Sequence, residues 1–481
     1  MPMTEKHTLV IDIGKSNAKL LVVDAHGAVL SRLSRPNQSE PDPQHGTTAL
    51  GVAGLQAWLL SSIPWLPDRE RIGRISISTH GAAFCAINDE GLVLPPIDYE
   101  WDGYDAATRR DFAVAQAPFS HTGSPDLPQG LNAGIQLFWL QRQHPTVWAR
   151  IRHWLPYPQY WAWWLSSVAA SEVSSLGCHT GLWSPVAGRY SDWAQRSGIA
   201  ALFAPLRRAW APLGTVRPAL AEALGLPLDC EVLCGVHDSN ACLARYLRDA
   251  PDTTLLTTGT WTLAMSPSGT TQGLHAERDE LLNVAVDGRA VPTARFMGGR
   301  EFAALCGDAD PALATERALA KVLAEGWSAL PAFAEAGGAH AGRQGLVLRD
   351  GEPVQGGPAA VPASLRPALA ALYCAQLSAQ MLQSLGATGP VMLEGPLAGN
   401  AAYGKALAAL IAPRPLRRAT DPLEGTARGA WMLAHWQSAR PAPPLSEALP
   451  PPPPALAEPV RRAHAAWLAQ LASAPTLAPA P

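Results

Sequence analysis

The sequence is poor in charge. Only 16% of its 481 residues are Asp, Glu, Lys or Arg, and they sum to a net −3. Without a basic surplus the chain has little to neutralise a nucleic-acid backbone or an anionic membrane surface, so neither is expected as a partner. It lacks a long apolar run. The tryptophan-rich piece from Tyr157 to Leu165 is too short to span a bilayer. No apolar export segment follows the first few residues, so a cytoplasmic protein is expected. The seven cysteines (Cys85, Cys178, Cys230, Cys234, Cys242, Cys306 and Cys374) are odd in number. Their spacing suits neither a disulfide framework nor a zinc site, and they read as buried thiols. What is present is a 47% apolar chain, too long for one hydrophobic core, so two domains are expected.

The most informative stretch is Leu9 to Val23. Two apolar runs flank the polar turn Lys15 to Asn17, which predicts a β-hairpin, extended by Ala28 to Leu30 into a meander. Asp12 lies inside the first apolar run. A buried carboxylate is costly unless it is paired or holds a metal. Beside it stand Gly14, Ser16, Asn17, Lys15 and Lys19, the parts of a phosphate and metal cradle.

Further along, Thr47 to Leu60 reads as an amphipathic helix. Arg74 to Thr79 reads as a strand stopping at His80-Gly81. Gln136 to Trp164 has a helical pattern whose tryptophans suit a core. Glu231 to Val236 is a strand-like run that gives way to His237-Asp238-Ser239-Asn240 and a helix. Asp238 is thus a helix cap or a carboxylate at the edge of a sheet, where ligands of open α/β sheets bind. Thr253 to Met265 repeats the opening plan as strand, glycine-hydroxyl turn, strand, with threonines in place of the acid and the lysines. Two such hairpins suggest an internal duplication. Phe296 to Glu301 is a glycine turn feeding a helix, and Val391 to Leu393 a short strand ending at Glu394-Gly395-Pro396. Gly425 to His435 reads as a small-residue helix. Residues 441–459 read as a proline-rich spacer before a last helix near Val460 to Leu471. Gly399 to Lys405 imitates a P-loop, but Ala406 stands where Ser or Thr must hold magnesium, so a P-loop is rejected.

These pieces, in this order, resemble the FGGY carbohydrate kinases of the actin-like ATPase superfamily over about residues 8 to 437. The likeness rests on Asp12-Ile-Gly14-Lys15-Ser16-Asn17-Ala-Lys19, Thr257-Thr258-Gly259-Thr260-Trp261, Gly235-Val-His-Asp238-Ser-Asn-Ala241 and Glu394-Gly395-Pro396 with Asn400. It implies an α/β chain of two actin-like (ribonuclease H-like) domains with a central catalytic cleft. Their expected bounds are 1–247 and 253–440, with 441–481 a linker and tail.

The resemblance also implies an ATP- and Mg²⁺-dependent kinase of a small sugar. Asp238 would be general base. Asp12, with Asp238, is the metal candidate. Phosphate and nucleotide contacts would come from Gly14, Lys15, Ser16, Asn17, Lys19, Thr258, Gly259, Thr260, Gly298, Gly299, Gly395 and Asn400. The sugar would meet Thr79, His80, Gly81, Glu100, Trp101, Asp102 and His237. A ketose is the expected substrate, either a pentulose or a 6-deoxyhexulose, and a homodimer is common among such proteins. The sequence departs from the family pattern in several places, among them the wording of Phe296 to Phe302 and Lys19, which stands where the family often has Arg. Gln136 stands where the family has lysine. Lys15 stands where it usually has Thr or Ser. A polyol kinase and a non-catalytic nucleotide-dependent sensor are the rival readings. A filament protein is disfavoured, since no assembly insertion is evident.

Overall fold

The computed structural model describes residues 6–420, 425–438 and 446–473. The chain divides into two compact units. One comprises Met1–Arg248, Leu282–Ala290 and Glu424–Pro444; the other comprises Asp249–Leu281, Val291–Leu423 and Leu445–Pro481. Two later segments, Leu282–Ala290 and Glu424–Pro444, thus return to the first unit.

In the first unit, His7–Ile13 (β1), Asn17–Val23 (β2) and Val29–Pro36 (β3) form the expected antiparallel meander. Every residue of β1 is buried, as befits an inner strand covered on both faces. β3 is the edge, and its Arg32, Ser34 and Arg35 keep it soluble. On the other side of β1 lies Ile72–Thr79, parallel to it, followed by Glu231–Leu233 and Val236–His237, also parallel. Three parallel strands therefore end along one edge, carrying Asp12-Ile13, Thr79-His80 and His237-Asp238.

Glycine and proline account for the differences from the sequence reading of this unit. Thr47 to Leu60 is not one helix but a strand, Thr47–Leu50, and a helix, Val52–Ser62. Gly51 divides them where a Cβ would stand 2.8 Å from the Gln38 carbonyl oxygen. The Gln136 to Trp164 pattern breaks into Gly134–Gln143, Pro145–Trp148, strand His153–Pro156 and Tyr157–Ser166, with prolines opening or closing the pieces. Its Trp139, Trp154 and Trp161 are core residues, as expected. The helix Gly425–Ala434 belongs to this unit because it is fastened to this sheet. Ser76 Oγ donates to the Ala430 carbonyl at 2.7 Å, Arg74 Nη1 to Ala434 at 2.8 Å, and Trp431 Nε1 to Asp24 at 3.0 Å.

The second unit repeats the plan. Its sheet runs Ala290–Phe296, Thr262–Met265, Thr254–Thr257, Val391–Glu394, Leu416–Ala419 and Ser446–Leu449. Thr254–Thr257 pairs antiparallel with its hairpin partner and parallel with Val391–Glu394. That is the relation of β1 to β2 and to Ile72–Thr79. The long helix Arg366–Ser384 packs in the core. The proline-rich segment is more than a spacer. Ser446–Leu449 adds an edge strand, and the last helix begins at Pro454, where proline is tolerated in a first turn. Trp467 in that helix is fully buried and donates to the Ala329 carbonyl at 2.7 Å. Residues 441–445 and 474–481 of the expected tail lie outside the described residues. No cysteine pair forms a disulfide, and six of the seven thiols are buried. Among the described residues no helix is long and apolar enough to cross a membrane.

Candidate active site

In the first unit the site is built where the parallel strands end. The Gly14 N–H closes the β1–β2 turn on the Asn17 carbonyl at 2.9 Å, leaving Ser16 and Asn17 exposed at its tip. Asp12 is buried and faces Lys19 across the strand pair, Nζ to Oδ2 at 3.7 Å. The His80 N–H donates to the Ile13 carbonyl at 2.9 Å, tying the neighbouring strand end to the hairpin.

His80 is 5% exposed. Its Nδ1 lies 2.9 Å from the Gly81 carbonyl, an acceptor only, so Nδ1 carries the ring proton. Burial is the main influence on the ring and lowers its pKa, so the imidazole is neutral near pH 7. Nε2 is then a bare acceptor, buried and without a partner among the described residues. Such an atom calls for a donor.

Asp238 is the first residue of the helix Asp238–Leu247. Its Oδ1 accepts from the Ser239 N–H at 2.6 Å and lies 3.1 Å from His237 Nε2. No protein group among the described residues takes Oδ2. The side chain is 31% exposed, so this oxygen belongs to a carboxylate that solvent or substrate can reach.

The Lys15 ammonium is turned to a cluster of acceptors. Its three ammonium protons have three acceptors: Asp98 Oδ2 at 2.5 Å, Glu100 Oε2 at 3.2 Å and Ser39 Oγ at 3.2 Å, with the Tyr99 ring 5.1 Å away. Burial works to raise the Asp98 carboxyl, but the Glu100 N–H, Lys15 and Ser39 outweigh it and hold its pKa below the usual range. Lys15 is thus a charge partner of the segment after residue 97.

Several other residues of the site have partners within the protein. The Thr79 hydroxyl is buried and donates to the His80 carbonyl at 2.9 Å. Trp101 packs on Tyr104 and Trp139, with ring centroids 4.7 and 4.9 Å away. Asp102 pairs with Arg109 at 2.8 Å. Gly81 has a packing reason to be glycine, since a Cβ there would sit 2.9 Å from His237 Nε2. Gln136 is buried and its amide donates to the Ala82 and Gly130 carbonyls at 2.8 and 2.9 Å.

In the second unit the glycines converge. Gly299 N–H donates to the Thr260 carbonyl at 3.2 Å, and a Cβ on Gly299 would stand 2.5 Å from the Gly259 oxygen. One on Gly298 would stand 2.0 Å from Thr262 Oγ1. Gly395, at φ +84°, passes so close that its Cβ would meet the Thr258 oxygen at 1.8 Å. The Thr258 hydroxyl donates to the Glu394 carbonyl at 2.6 Å and accepts from the Leu397 N–H, so it fastens the loop. Gly259 and Thr260 form the turn, with Thr260 exposed. Asn400 caps the helix Ala401–Ile411 by accepting from the Tyr403 N–H at 2.9 Å.

Residues 7–244 match the model of the "FGGY family of carbohydrate kinases, N-terminal domain", and residues 250–442 that of the "Carbohydrate kinase FGGY, C-terminal domain". The chain belongs to the FGGY family. A solved carbohydrate kinase from Novosphingobium aromaticivorans is 35% identical, with a TM-score of 0.88 over 98% of this chain and 100% of that one. Xylulose kinase from Rhodospirillum rubrum shares the fold at 19% identity, with a TM-score of 0.78 over 97% of this chain and 99% of that one. L-Fuculokinase of Salmonella typhi is 25% identical over 288 residues, 56% of this chain and 58% of that protein. The chain spans about half the length of the curated relatives it matches. The fold is the expected α/β pair of actin-like ATPase domains.

As a metal site, the FGGY chain offers Asp12. No group of three or more His, Cys, Asp or Glu is arranged to hold a metal among the described residues. A single carboxylate is what Mg²⁺ takes when phosphate oxygens and water supply its other positions, so the donors fit a metal that arrives with a nucleotide.

The sequence reading missed Asp98, Tyr99, Asn240, Glu172 and Cys178, whose Sγ lies 3.5 Å from His237 Nε2. Glu172 is fully buried, and its Oε2 accepts from the Ser174 hydroxyl and from the Ser174 and Ser175 N–H groups. The Ser174 hydroxyl in turn lies 3.4 Å from the His237 N–H. Burial pushes the Glu172 pKa up to about 7 from 4.5, against these hydrogen bonds. The folded state therefore holds a proton that the unfolded chain releases above pH 4.5. Below that pH there is no penalty. Between there and pH 7 this group makes stability fall by about 1.4 kcal/mol per pH unit. Glu172→Gln removes the slope. Urea unfolding at pH 5 and pH 8 is expected to show the parent losing on the order of 3 kcal/mol more than the variant. Equal losses would show that Glu172 does not carry this proton.

Proposed function

We propose that this chain transfers the γ-phosphoryl group of ATP to a hydroxyl of a small neutral sugar, a ketose of the pentulose or 6-deoxyhexulose class. The observation that carries the reading is the pairing of Asp238, with one carboxylate oxygen unclaimed, and His80, with one buried ring nitrogen lacking a donor. Phosphoryl transfer asks the protein for alignment, charge neutralisation and an acceptor for one proton. A sugar hydroxyl donating to His80 Nε2 would satisfy that nitrogen. The hydroxyl to be phosphorylated would give its proton to Asp238 Oδ2 as its oxygen attacks the γ-phosphorus, and ADP would leave. The glycine turns at Gly14–Asn17 and Gly259–Thr260 suit phosphate oxygens through their backbone N–H groups. Mg²⁺ held by Asp12 would neutralise phosphate charge. Lys19, opposite Asp12, balances that carboxylate.

The charge around His80 argues for a neutral acceptor. Asp98, Glu100 and Asp238 oppose Lys15 alone, while His80 and His237 are neutral. A sugar acid would bring a further negative charge into that setting. A coupled ADP-release assay over ketoses, glycerol and gluconate tests this. A ketose is expected to give the highest kcat/KM, with gluconate at least about tenfold lower, which corresponds to about 1.4 kcal/mol. Gluconate turned over as well as any ketose would overturn the neutral-sugar reading. Glycerol as the best acceptor would make the enzyme a polyol kinase.

A further inference from the structure

We infer that Lys15 is a positioning residue for the acceptor sugar: its ammonium holds the 98–100 segment so that Tyr99 forms one wall of the sugar pocket beside His80. This rests on the reading of the site as that of a sugar kinase. Lys15 Nζ donates to Asp98 Oδ2 at 2.5 Å and to Ser39 Oγ at 3.2 Å, and it pairs with Glu100 Oε2 at 3.2 Å. The contacts are unequal. The Glu100 side chain is 57% exposed, and an exposed pair contributes little. The Asp98 side chain is 4% exposed, so its charge depends on partners within the protein, and Asp98 is the main anchor. Its Oδ1 accepts from the Glu100 N–H at 2.9 Å and its carbonyl from the Trp101 N–H at 3.0 Å, which closes a turn with Tyr99 and Glu100 at the corner. Lys15 Nζ lies over the Tyr99 ring, 5.1 Å from its centroid. On its other side that ring meets His80 edge to face, with centroids 5.6 Å apart.

Tyr99 brings a donor to the site. Its side chain is half-buried, and burial, together with the Glu100, Asp98 and Asp238 carboxylates, raises its pKa, so the hydroxyl keeps its proton. No protein group among the described residues takes that hydroxyl. His80 Nε2 beside it is an acceptor without a donor. A sugar, whose hydroxyls both donate and accept, matches the pair. The phosphate turn does not need the ammonium to keep its shape. Asn37 clamps it, with the N–H donating to the Ser16 carbonyl and Nδ2 to the Gly14 carbonyl, each at 2.8 Å. Nor does the backbone of the acceptor segment need it: the Asp98 N–H donates to the Thr48 carbonyl and the Gly130 N–H to the Tyr99 carbonyl, each at 2.8 Å. What the ammonium fixes is the Asp98 carboxylate and the placement of the Tyr99 ring. Lys15 thus belongs by its backbone to the phosphate turn and by its side chain to the sugar pocket.

Lys15→Met keeps much of the side chain's length and removes its charge. Steady-state kinetics with the best sugar from the panel, varying sugar and ATP separately, together with thermal melts, are the measurements. Lys15→Met is expected to raise the KM for sugar at least about tenfold, with the KM for ATP within about threefold of the parent. A lysine that touched phosphate would do the reverse. Tyr99→Phe is also expected to raise the KM for sugar, by about threefold or more. The two changes together should exceed the larger single effect by less than about threefold, because both act on one wall. A parental sugar KM in either single variant, a rise in the KM for ATP alone, or effects that multiply in the double variant would overturn the inference. Lys15→Met leaves the Asp98 charge buried without its partner, which can unfold a protein. If the melt shows that, Lys15→Met/Asp98→Asn, which removes both charges, takes its place, and a parental sugar KM there overturns the inference too. The parent separates the two ideas. If it phosphorylates no sugar of the panel, the sugar-kinase reading falls and the inference with it. If it phosphorylates one while folded Lys15→Met matches it, only the inference falls.

Discussion

Asp238→Asn is expected to lower sugar phosphorylation by about a hundredfold to ten-thousandfold, the range that one general base contributes. The substitution is close to isosteric, and the retained Oδ1 can still accept from the Ser239 N–H. What changes is the other atom. An amide NH₂ in place of Oδ2 has no lone pair for the hydroxyl proton. The site should therefore keep its shape while losing its proton acceptor, and nucleotide affinity measured by calorimetry should stay within about threefold of the parent, less than 1.4 kcal/mol. Turnover within tenfold of the parent, a barrier change of only about 1.4 kcal/mol, would remove Asp238 from its role. Large losses of both turnover and ATP binding would make the residue a part of the nucleotide site.

How much of this was legible beforehand depended on the range of the interactions involved. The two hairpins were readable because alternation, turn and glycine all lie within fifteen residues. Asp238 was readable for a similar reason: the strand that presents it and the helix it opens are adjacent in the chain. Lys15 was not. Its partner Asp98 is 83 positions away, and no local pattern says that a hairpin lysine will bend to an acid on a distant loop. Thr258 looked like a phosphate ligand by analogy of turns, yet its hydroxyl is used by the Glu394 carbonyl, 136 positions on. The C-terminal segment misled through composition. Proline suggested a spacer, while the decisive facts were Trp467 reaching the Ala329 carbonyl and one edge strand completing a sheet. The partners of His237 were within reach of a closer reading. Asn240 lies three residues on, the spacing at which side chains at a helix start can meet.

The same contrast between local and distant neighbours gives opposite signs to two glycine substitutions. Gly404→Ala and Gly429→Ala both replace a helical glycine, and intrinsic propensity alone would stabilise each by up to about 1 kcal/mol. At Gly404, which the sequence dressed as part of a P-loop, a Cβ would meet only Leu449 Cδ1 at 3.6 Å, ordinary contact, so the gain should be realised. At Gly429 the added carbon would stand 1.8 Å from the Ala241 carbonyl oxygen and 2.4 Å from its carbon. That carbonyl is backbone of the helix Asp238–Leu247 and cannot swing aside, so the two helices must part. Overpacking of this kind costs about 1–3 kcal/mol and sometimes more. The helix that moves begins with Asp238, and a misplacement of about 1 Å near reacting atoms can cost about a hundredfold in rate. Gly429→Ala is therefore expected to lower both the melting temperature and kcat, and Gly404→Ala to raise the former and leave the latter alone. A Gly429→Ala protein with parental stability and turnover would mean that the close helix crossing is absent in solution. The attachment of the 425–434 helix to the first unit's sheet would then have to be given up with it.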